Sequence, residues 1–256
     1  MKKIKLLLCL FMLTTLCGCS NSNKNESSKT LNAAMFWIST SLDPTNNYDG
    51  WVLSRIGVGE TLLKLNEKYE VEPYLAKSYE QIDDTTWKLT LKDSITFSNG
   101  KKVTGENVKS CLERAFEKNT RAIDYFDLNH VEAKGQDIYL YLNKSSGAIL
   151  NNLCEPLFTI YDASQSEEDI ANHPLCTGPF VVDDFVSEKT IDTSKNKKYY
   201  DGKAKLDHVH FSQVADSDAR VLALQSGEVD LANTIDYSSL KLFRNNKDYQ
   251  VLEVLG

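Results

Sequence analysis

The clearest pattern along the chain is a set of short runs in which hydrophobic and polar residues alternate. In residues 86–92, Trp87, Leu89 and Leu91 fall on one side, while lysine and threonine fall on the other. A period of two residues is typical of a strand that is buried on one face. The sequence therefore predicts a strand there. Further strands are predicted at residues 31–38, 129–133, 138–142, 180–185, 190–193, 208–213 and 229–232.

Other segments repeat their hydrophobic residues every three to four positions, as the buried face of a helix does. The strongest follows Thr104, whose hydroxyl suits the N-terminal cap of a helix. Gly227 is expected to end another helix. Strands mixed with helices predict an α/β or mixed α+β chain rather than a bundle or a sandwich. The helical segments are 51–63, the stretch after Thr104 (Val108, Cys111, Leu112, Ala115 and Phe116 inward), 148–153, 216–225 (Val221, Leu222 and Leu224 inward) and 237–243.

The N-terminus has the pattern of an export signal. Three lysines in the first five residues precede a charge-free apolar run over residues 6–16, which is too short to span a bilayer comfortably. The run ends in Leu-Cys-Gly-Cys, which resembles the lipobox of bacterial lipoproteins, so Cys19 would become the lipidated first residue. We therefore expect a signal peptide at 1–18 and a flexible, polar tether at 19–30. An ordinary cleaved signal with incidental cysteines is the alternative.

The composition of the whole chain is that of an ordinary folded protein, with 41% hydrophobic and 25% charged residues. The net charge of −7 argues against nucleic-acid binding, which requires a basic face. Beyond residue 19, Cys111, Cys154 and Cys176 remain, and their spacing matches no zinc-site pattern. Cys154 and Cys176 could pair outside the cytoplasm, or the thiols could simply be buried.

Several segments, in order along the chain, resemble the extracellular solute-binding proteins of family 5, which are the peptide, nickel and opine binders of ABC importers. Each motif is weak alone, but together they span residues 42–232 in the family's order. The segments are Leu42-Asp43-Pro44, the Gly-Glu-Thr-Leu at 59–62, residues 72–79, residues 83–92 and 95–100 with 103–108, the Cys-Thr-Gly-Pro-Phe at 176–180, residues 196–207, and the Arg-Val-Leu-Ala-Leu-Gln-Ser-Gly-Glu-Val-Asp at 220–230.

The resemblance implies a periplasmic-binding-protein-like lobe. Residues 31–61 and 176–256 would build lobe I, and residues 62–175 its inserted subdomain. Family members run on well beyond this length, so the second lobe is expected to have no counterpart in the 256 residues. The chain would then be either a fragment or a truncated gene product.

The resemblance also implies a function in binding. The protein would capture small peptides or a chelated metal such as nickel outside the cytoplasm, and deliver them to the permease subunits of an ABC importer without a cofactor. Its lipid would anchor it to the cell membrane. A non-transport sensor or a chaperone-like binding protein on the same fold is the alternative.

The resemblance places ligand contacts in the loop after the Leu-Asp-Pro motif and in the segment after the long amphipathic helix. An aromatic and amide-rich loop suits a small polar ligand. Trp51 could line the pocket or belong to the core, and Arg121 could hold a ligand carboxylate or lie on the surface. Ile123 and Leu157 lie near the positions where nickel-type members use tryptophan and arginine. This difference weakens the hypothesis that the ligand contains nickel. The candidate ligand contacts are Asn47, Tyr48, Trp51, Arg55, Arg121 and Tyr125.

Catalytic patterns are absent from the sequence: it has no GxSxG, HExxH or Walker loop. His208 and His210 share one side of a predicted strand and could contact one metal ion. A polar face of an edge strand is the explanation that we favour. We therefore expect no catalytic residue and no metal site, and a protein that is not an enzyme.

Overall fold

The computed structural model describes residues 28–253, in which short strands and helices alternate. None of the helices in this range is long and apolar enough to cross a membrane. The strands are β1 Thr30–Met35, β2 Leu63–Leu65, β3 Val71–Pro73, β4 Ala76–Gln81, β5 Thr86–Leu91, β6 Leu128–Lys134, β7 Asp137–Leu142, β8 Phe180–Val186, β9 Thr190–Lys195, β10 His208–Gln213 and β11 Leu231–Ala232. The α helices are α1 Gly50–Arg55, α2 Gly105–Lys118, α3 Ala122–Tyr125, α4 Ile149–Asn152, α5 Glu167–Asn172 and α6 Ser217–Ser226, and 3₁₀ turns lie at Pro156–Phe158 and Leu240–Leu242.

A five-stranded mixed sheet has the order β11-β1-β10-β9-β8. Strand β1 runs parallel to both β10 and β11, while β8, β9 and β10 form an antiparallel meander. Met35, Ile191 and Val209 are buried on one face and contribute to the main core. On the other face, Ala34 packs with Ala223 of α6 in a smaller cluster.

A second, antiparallel sheet has the order β4-β5-β7-β6, and α2 packs across β6 and β7. The alternation predicted for residues 86–92 is confirmed, because Leu89 and Leu91 are fully buried in β5. The predicted stripe of α2 is confirmed too, with Val108, Cys111, Leu112 and Ala115 buried and Phe116 packed at its edge. Thr104 occupies the N-cap, where its backbone amide donates to Asn107 Oδ1 at 3.0 Å.

The region between the two sheets contains close backbone contacts and a buried carboxylate. The amides of Gly178 and Phe180 donate to the carbonyls of Val58 and Gly57 at 3.0 and 3.1 Å. Glu60 is almost fully buried and accepts hydrogen bonds from the hydroxyls of Thr177 at 2.7 Å and Tyr199 at 2.9 Å. One hydrophobic core runs through both sheets. The division into lobe I and a subdomain at residues 62–175 stays a prediction.

Two predicted helices are wrong. The helix predicted for residues 51–63 is confined to α1, because Gly57 adopts a φ of 70°, a left-handed conformation that ends a helix, and Leu63 already belongs to β2. The helix predicted for residues 237–243 consists of one 3₁₀ turn. The other predicted helices and strands lie close to their predicted bounds. The sequence patterns gave no prediction for β2, β3, β4, α3 and α5.

Helix α6 also differs from its predicted orientation. Leu222, predicted to face inward, is 66% exposed, whereas Arg220 is buried. The Arg220 guanidinium donates to the carbonyl oxygens of Val214, Ala215, Asn233 and Thr234 and satisfies these groups. Arg220 therefore lies on the buried face of α6, where the periodicity of the sequence had placed Leu222. Gly227 ends the helix with a φ of 75°, as predicted.

The three cysteines of the described region are free, so the possible Cys154–Cys176 disulfide is not formed. Cys111 and Cys176 are buried, as the alternative prediction had it. Residue Thr30, assigned to the tether, belongs to β1. The predicted signal peptide, Cys19 and the remainder of the tether before residue 28 lie outside the described residues.

Candidate functional site

The loop that follows the Leu-Asp-Pro motif is held in place by α2 and the residues just after it. Arg114 of α2 donates to both carboxylate oxygens of Asp43, and to the Thr45 hydroxyl at 2.7 Å. The Asn119 amide donates to the carbonyls of Thr45 and Asn47, each at 3.1 Å. These bonds come from residues about seventy positions further along the chain. They fix the backbone that presents Asn47, Tyr48 and Trp51 to solvent.

An open pocket of about 340 Å³ lies beside this loop. Its lining is almost entirely apolar and aromatic, apart from one guanidinium. Trp51 is 38% exposed, so the structure places its ring on the pocket and not in the core. Clefts with aromatic walls and few polar groups are the usual form of small-molecule sites. The lining residues are Phe36, Trp37, Tyr48, Trp51 and Arg55.

Trp51 is oriented by a carboxylate from a distant segment. Its indole Nε1 donates to Glu155 Oε1 at 2.9 Å. Glu155 immediately precedes the 3₁₀ turn that packs against α1. The same carboxylate neighbours the Tyr125 hydroxyl, and burial together with this charge raises the pKa of Tyr125 to about 12. Glu155 thereby connects the Trp51 side of the site with the Tyr125 side.

Arg121 and Tyr125 form a second group that adjoins the pocket through Tyr48. The Arg121 guanidinium lies 3.7 Å from the centre of the Tyr48 ring, within cation–π distance. Its Nη1 donates to the Asn47 carbonyl at 3.0 Å and its Nη2 to the Tyr125 hydroxyl at 2.7 Å. Two of the five N–H donors are thus used inside the chain. Arg121 therefore holds the loop in place through contacts within the chain.

Arg55 has a different environment from Arg121. Its guanidinium carbon lies 5.4 Å from the ring centres of both Phe36 and Trp51. No hydrogen bond or ion pair joins it to any of residues 28–253. Partial burial lowers the pKa of Arg55, because a charge removed from water is destabilised. The pocket therefore contains one cation whose hydrogen-bond donors are all available.

The structure brings the six residues predicted from the sequence into one continuous surface. Phe36, Trp37 and Glu155 belong to the same surface but were not predicted from the sequence. The adjacent aromatic pair at the end of a predicted strand was a usable signal for the first two. No sequence signal marked Glu155, because its contact with Trp51 depends on packing between segments about a hundred residues apart.

The two histidines on β10 do not share a partner. His208 is exposed, while His210 Nδ1 lies 2.6 Å from Asp192 Oδ1 and its Nε2 lies 3.1 Å from Ser212 Oγ. This Asp-His-Ser line matches the order of groups in serine hydrolases. Strand β10, however, lies between β1 and β9 and is not the edge strand that the sequence analysis expected. Its backbone amides therefore belong to sheet ladders and are not free to stabilise an oxyanion. Across residues 28–253, no group of three or more metal-binding side chains is assembled.

Comparison with known proteins agrees with this architecture. A family model described as bacterial extracellular solute-binding proteins, family 5, middle part, matches residues 70–256. The fold is that of a periplasmic-binding-protein-like lobe. The chain belongs to the family 5 solute-binding proteins, as the sequence motifs indicated.

Individual relatives lie in the same family. The nickel-binding protein NikA of Staphylococcus aureus is 33% identical over 241 residues, which is 94% of this chain and 48% of that protein. The crystal structure of S. aureus NikA with Ni(L-His)2 superposes with a TM-score of 0.80 over 86% of this chain and 46% of that one. The crystal structure of a nickel ABC transporter from Bacillus halodurans is 30% identical in sequence. It superposes with a TM-score of 0.80 over 86% of this chain and 46% of that chain.

The similarity to a solved peptide complex extends to the fold alone. The periplasmic binding protein DppA of Helicobacter pylori, crystallised with the peptide STSA, has 21% identity and a TM-score of 0.73 over 86% of this chain and 49% of that chain. The chain thus spans about half the length of the relatives it matches.

Proposed function

We propose that this chain is part of an extracytoplasmic solute-binding protein that captures an oligopeptide or a chelated metal such as nickel and delivers it to an ABC importer. The observation that carries the proposal is the aromatic pocket beside the 43–51 loop, in a chain that belongs to family 5. The loop is held by interior hydrogen bonds before any ligand arrives, which lowers the entropy cost of binding.

The pocket lining suggests how each class of ligand would be held. Aromatic rings offer stacking area for a peptide side chain or for the organic part of a chelate. The five lining side chains contain no imidazole, thiolate or carboxylate. A metal ion would therefore be held here through its chelator, which agrees with the chelated nickel in the S. aureus NikA structure. The peptide and chelate hypotheses both remain compatible with the site.

The remaining parts of the proposal follow from the sequence pattern. Cys19 would carry the lipid that anchors the protein at the outer face of the cell membrane. Residues 31–61 and 176–256 would form lobe I and residues 62–175 its subdomain. The protein would act by binding rather than catalysis, with permease subunits as its partners. A sensor or chaperone-like role is the second candidate from the same fold.

Tryptophan fluorescence tests the binding proposal directly, because two of the three tryptophans line the pocket. Ni(II)–L-histidine and a tetra-alanine peptide are the probes. At least one of them should change the emission saturably. Trp51→Leu should reduce the change, with Trp37 left as the second reporter in the pocket. Trp87→Phe is the matched control, since Trp87 lies in β5 and does not line the pocket. A wild-type chain that responds to neither probe would contradict the proposal.

Two cellular measurements test the transport and anchoring parts. Deletion of the gene should reduce uptake of radioactive nickel or of a labelled peptide, and unchanged uptake of both would favour the sensor alternative. Labelled palmitate should enter the wild-type protein and not Cys19→Ala. Equal labelling of the two would remove the lipid anchor from the proposal.

A further inference from the structure

We propose that Arg55 is the anion anchor of the aromatic pocket, and that the ligand carries a carboxylate beside its apolar or chelating part. This inference rests on the proposed binding function and specifies the chemical class of its ligand. It assigns the ligand carboxylate to Arg55, whereas the sequence analysis offered Arg121 as one candidate for that contact, with a surface arginine as the alternative.

The first argument compares the five arginines of the sequence, at positions 55, 114, 121, 220 and 244. Four of them have hydrogen-bond acceptors within the described part of the chain. Arg114 binds Asp43, Arg121 binds the Asn47 carbonyl, Arg220 binds four carbonyls and Arg244 binds Glu253. Arg55 differs from all of them, since its contacts are with two aromatic rings.

The second argument concerns the acidic side chains of the same region, which already have partners. Asp43 is bound by Arg114, Asp49 accepts from Asn46 Nδ2 at 2.7 Å, and Glu155 accepts from Trp51 Nε1. None of these three carboxylates pairs with Arg55 at salt-bridge distance. The positive charge in the pocket is therefore not neutralised by the acids that surround the loop.

The third argument is the chemistry of the guanidinium. Cation–π contacts use its attraction to the ring faces and consume none of its five N–H donors. Those donors form a planar fork that matches the two oxygens of a carboxylate. Removal from water lowers the pKa of Arg55, and the same partial desolvation strengthens its attraction to an incoming anion. An aromatic wall with one such fork selects a flat or apolar group that bears a carboxylate.

Two sources offer this chemistry: the C-terminus of a peptide and the carboxylate of an amino acid that chelates a metal. Matched probes separate them. Tetra-alanine with a free C-terminus is compared with its C-terminal amide. Ni(II)–L-histidine is compared with Ni(II)–histamine, which retains the imidazole and the amine and lacks the carboxylate. Titration calorimetry measures affinity for the wild-type chain, Arg55→Gln and Arg55→Lys.

We expect the wild type to bind one carboxylate probe about tenfold or more tightly than its partner without the carboxylate, in line with a charge-assisted hydrogen bond. Arg55→Gln should reduce that ratio to about one, and Arg55→Lys should retain part of it. Arg244→Gln is the matched control, because Arg244 pairs with Glu253 and is not part of the pocket lining. It should preserve the wild-type ratio, and thermal unfolding should show that each variant is folded.

The outcomes separate this inference from the proposed function. A wild type that binds a probe and its carboxylate-free partner equally would overturn the role of Arg55 and leave the binding function standing. The same holds if Arg55→Gln keeps the wild-type ratio. A wild type that binds none of the four probes overturns both.

Discussion

The Arg114 guanidinium binds the Asp43 carboxylate through two parallel hydrogen bonds, Nη1 to Oδ1 at 2.8 Å and Nη2 to Oδ2 at 2.7 Å. Both side chains are largely buried, with 10% and 13% of their side-chain surface exposed. Asp43 belongs to the Leu-Asp-Pro motif and Arg114 to the long helix α2. The pair therefore ties the loop that follows the Leu-Asp-Pro motif to α2, the helix that packs on the second sheet.

Removing this pair should destabilise the protein. Arg114→Met keeps much of the side-chain volume but leaves the Asp43 carboxylate buried without a cation, which should cost about 3 kcal/mol in the free energy of unfolding. Urea unfolding at pH 7 measures the loss. Glu113→Gln is the control, because it breaks an exposed pair with Lys109 on the same helix and should cost less than about 0.5 kcal/mol. Equal losses would contradict a special role for the buried pair.

The same pair should make the free energy of unfolding depend on pH in acidic solution. Burial alone would raise the pKa of Asp43, but hydrogen bonds from Arg114 and Thr45 outweigh it and hold that pKa below its usual value. The ionised form is thus favoured in the folded state. Its stabilisation is complete above about pH 4 and is lost as the pH falls through the lowered pKa. The gap in unfolding free energy between wild type and Asp43→Asn should narrow below pH 4, and a constant gap would contradict this.

Asp49 should behave in the opposite way. Burial, with a smaller contribution from the Asp43 charge, raises the pKa of Asp49 to about 6, although the Asn46 hydrogen bond favours ionisation. Its raised pKa means that stability is complete below about pH 4 and is lost as the pH rises through 6. Asp49→Asn should therefore gain stability relative to wild type between pH 4 and pH 8, by at most about 3 kcal/mol.

Urea unfolding of both proteins at pH 4, 6 and 8 measures this gain. Asn46→Ala serves as the matched variant. It removes a hydrogen bond that favours the ionised carboxylate, so its stability should fall more steeply over the same range. A pH-independent difference between wild type and Asp49→Asn would show that Asp49 ionises normally.

Gly178 should tolerate no side chain. A Cβ added there would lie 2.5 Å from the Gly57 carbonyl oxygen and 2.6 Å from that of Val58, and both neighbours are backbone atoms that cannot rotate away. Gly178→Ala should destabilise the protein by about 2–3 kcal/mol. Gly147→Ala is the control, since nothing lies within 4 Å of its added Cβ. Thermal and urea unfolding should separate the two, and similar midpoints would argue against the close approach.

Cys111, Cys154 and Cys176 should have free thiols that react poorly in the folded protein. Burial raises the pKa of Cys111 to about 12 and that of Cys154 to about 11, and it raises that of Cys176 as well. Alkylation requires the thiolate, so iodoacetamide at pH 8 should label Cys154 slowly and the other two hardly at all. All three should react in guanidinium. Peptide mapping without reduction checks the result, and a Cys154–Cys176 disulfide in that map would contradict it.

Local sequence signals predicted the regular elements well, because a strand or helix that packs one face against a core must repeat its apolar residues at the matching period. The strand at His208–Gln213 and the buried stripe of α2 follow from this rule alone. The rule failed where packing is decided by distant residues. Residues 51–63 have helical spacing, but Gly57 and the pairing of β2 with β3 end the helix early.

The sequence by itself determined the family and most of the regular elements, since those depend on residue types at short spacings. It also indicated Tyr48 and Trp51 as candidate site residues. Only the tertiary structure decided the role of each arginine. Arg114 and Arg121 find acceptors in residues 71 and 74 positions away, while the guanidinium carbon of Arg55 lies 5.4 Å from the centres of two aromatic rings. Whether a charge is paired depends on which segments fold against it, and that is settled by the packing of the whole chain.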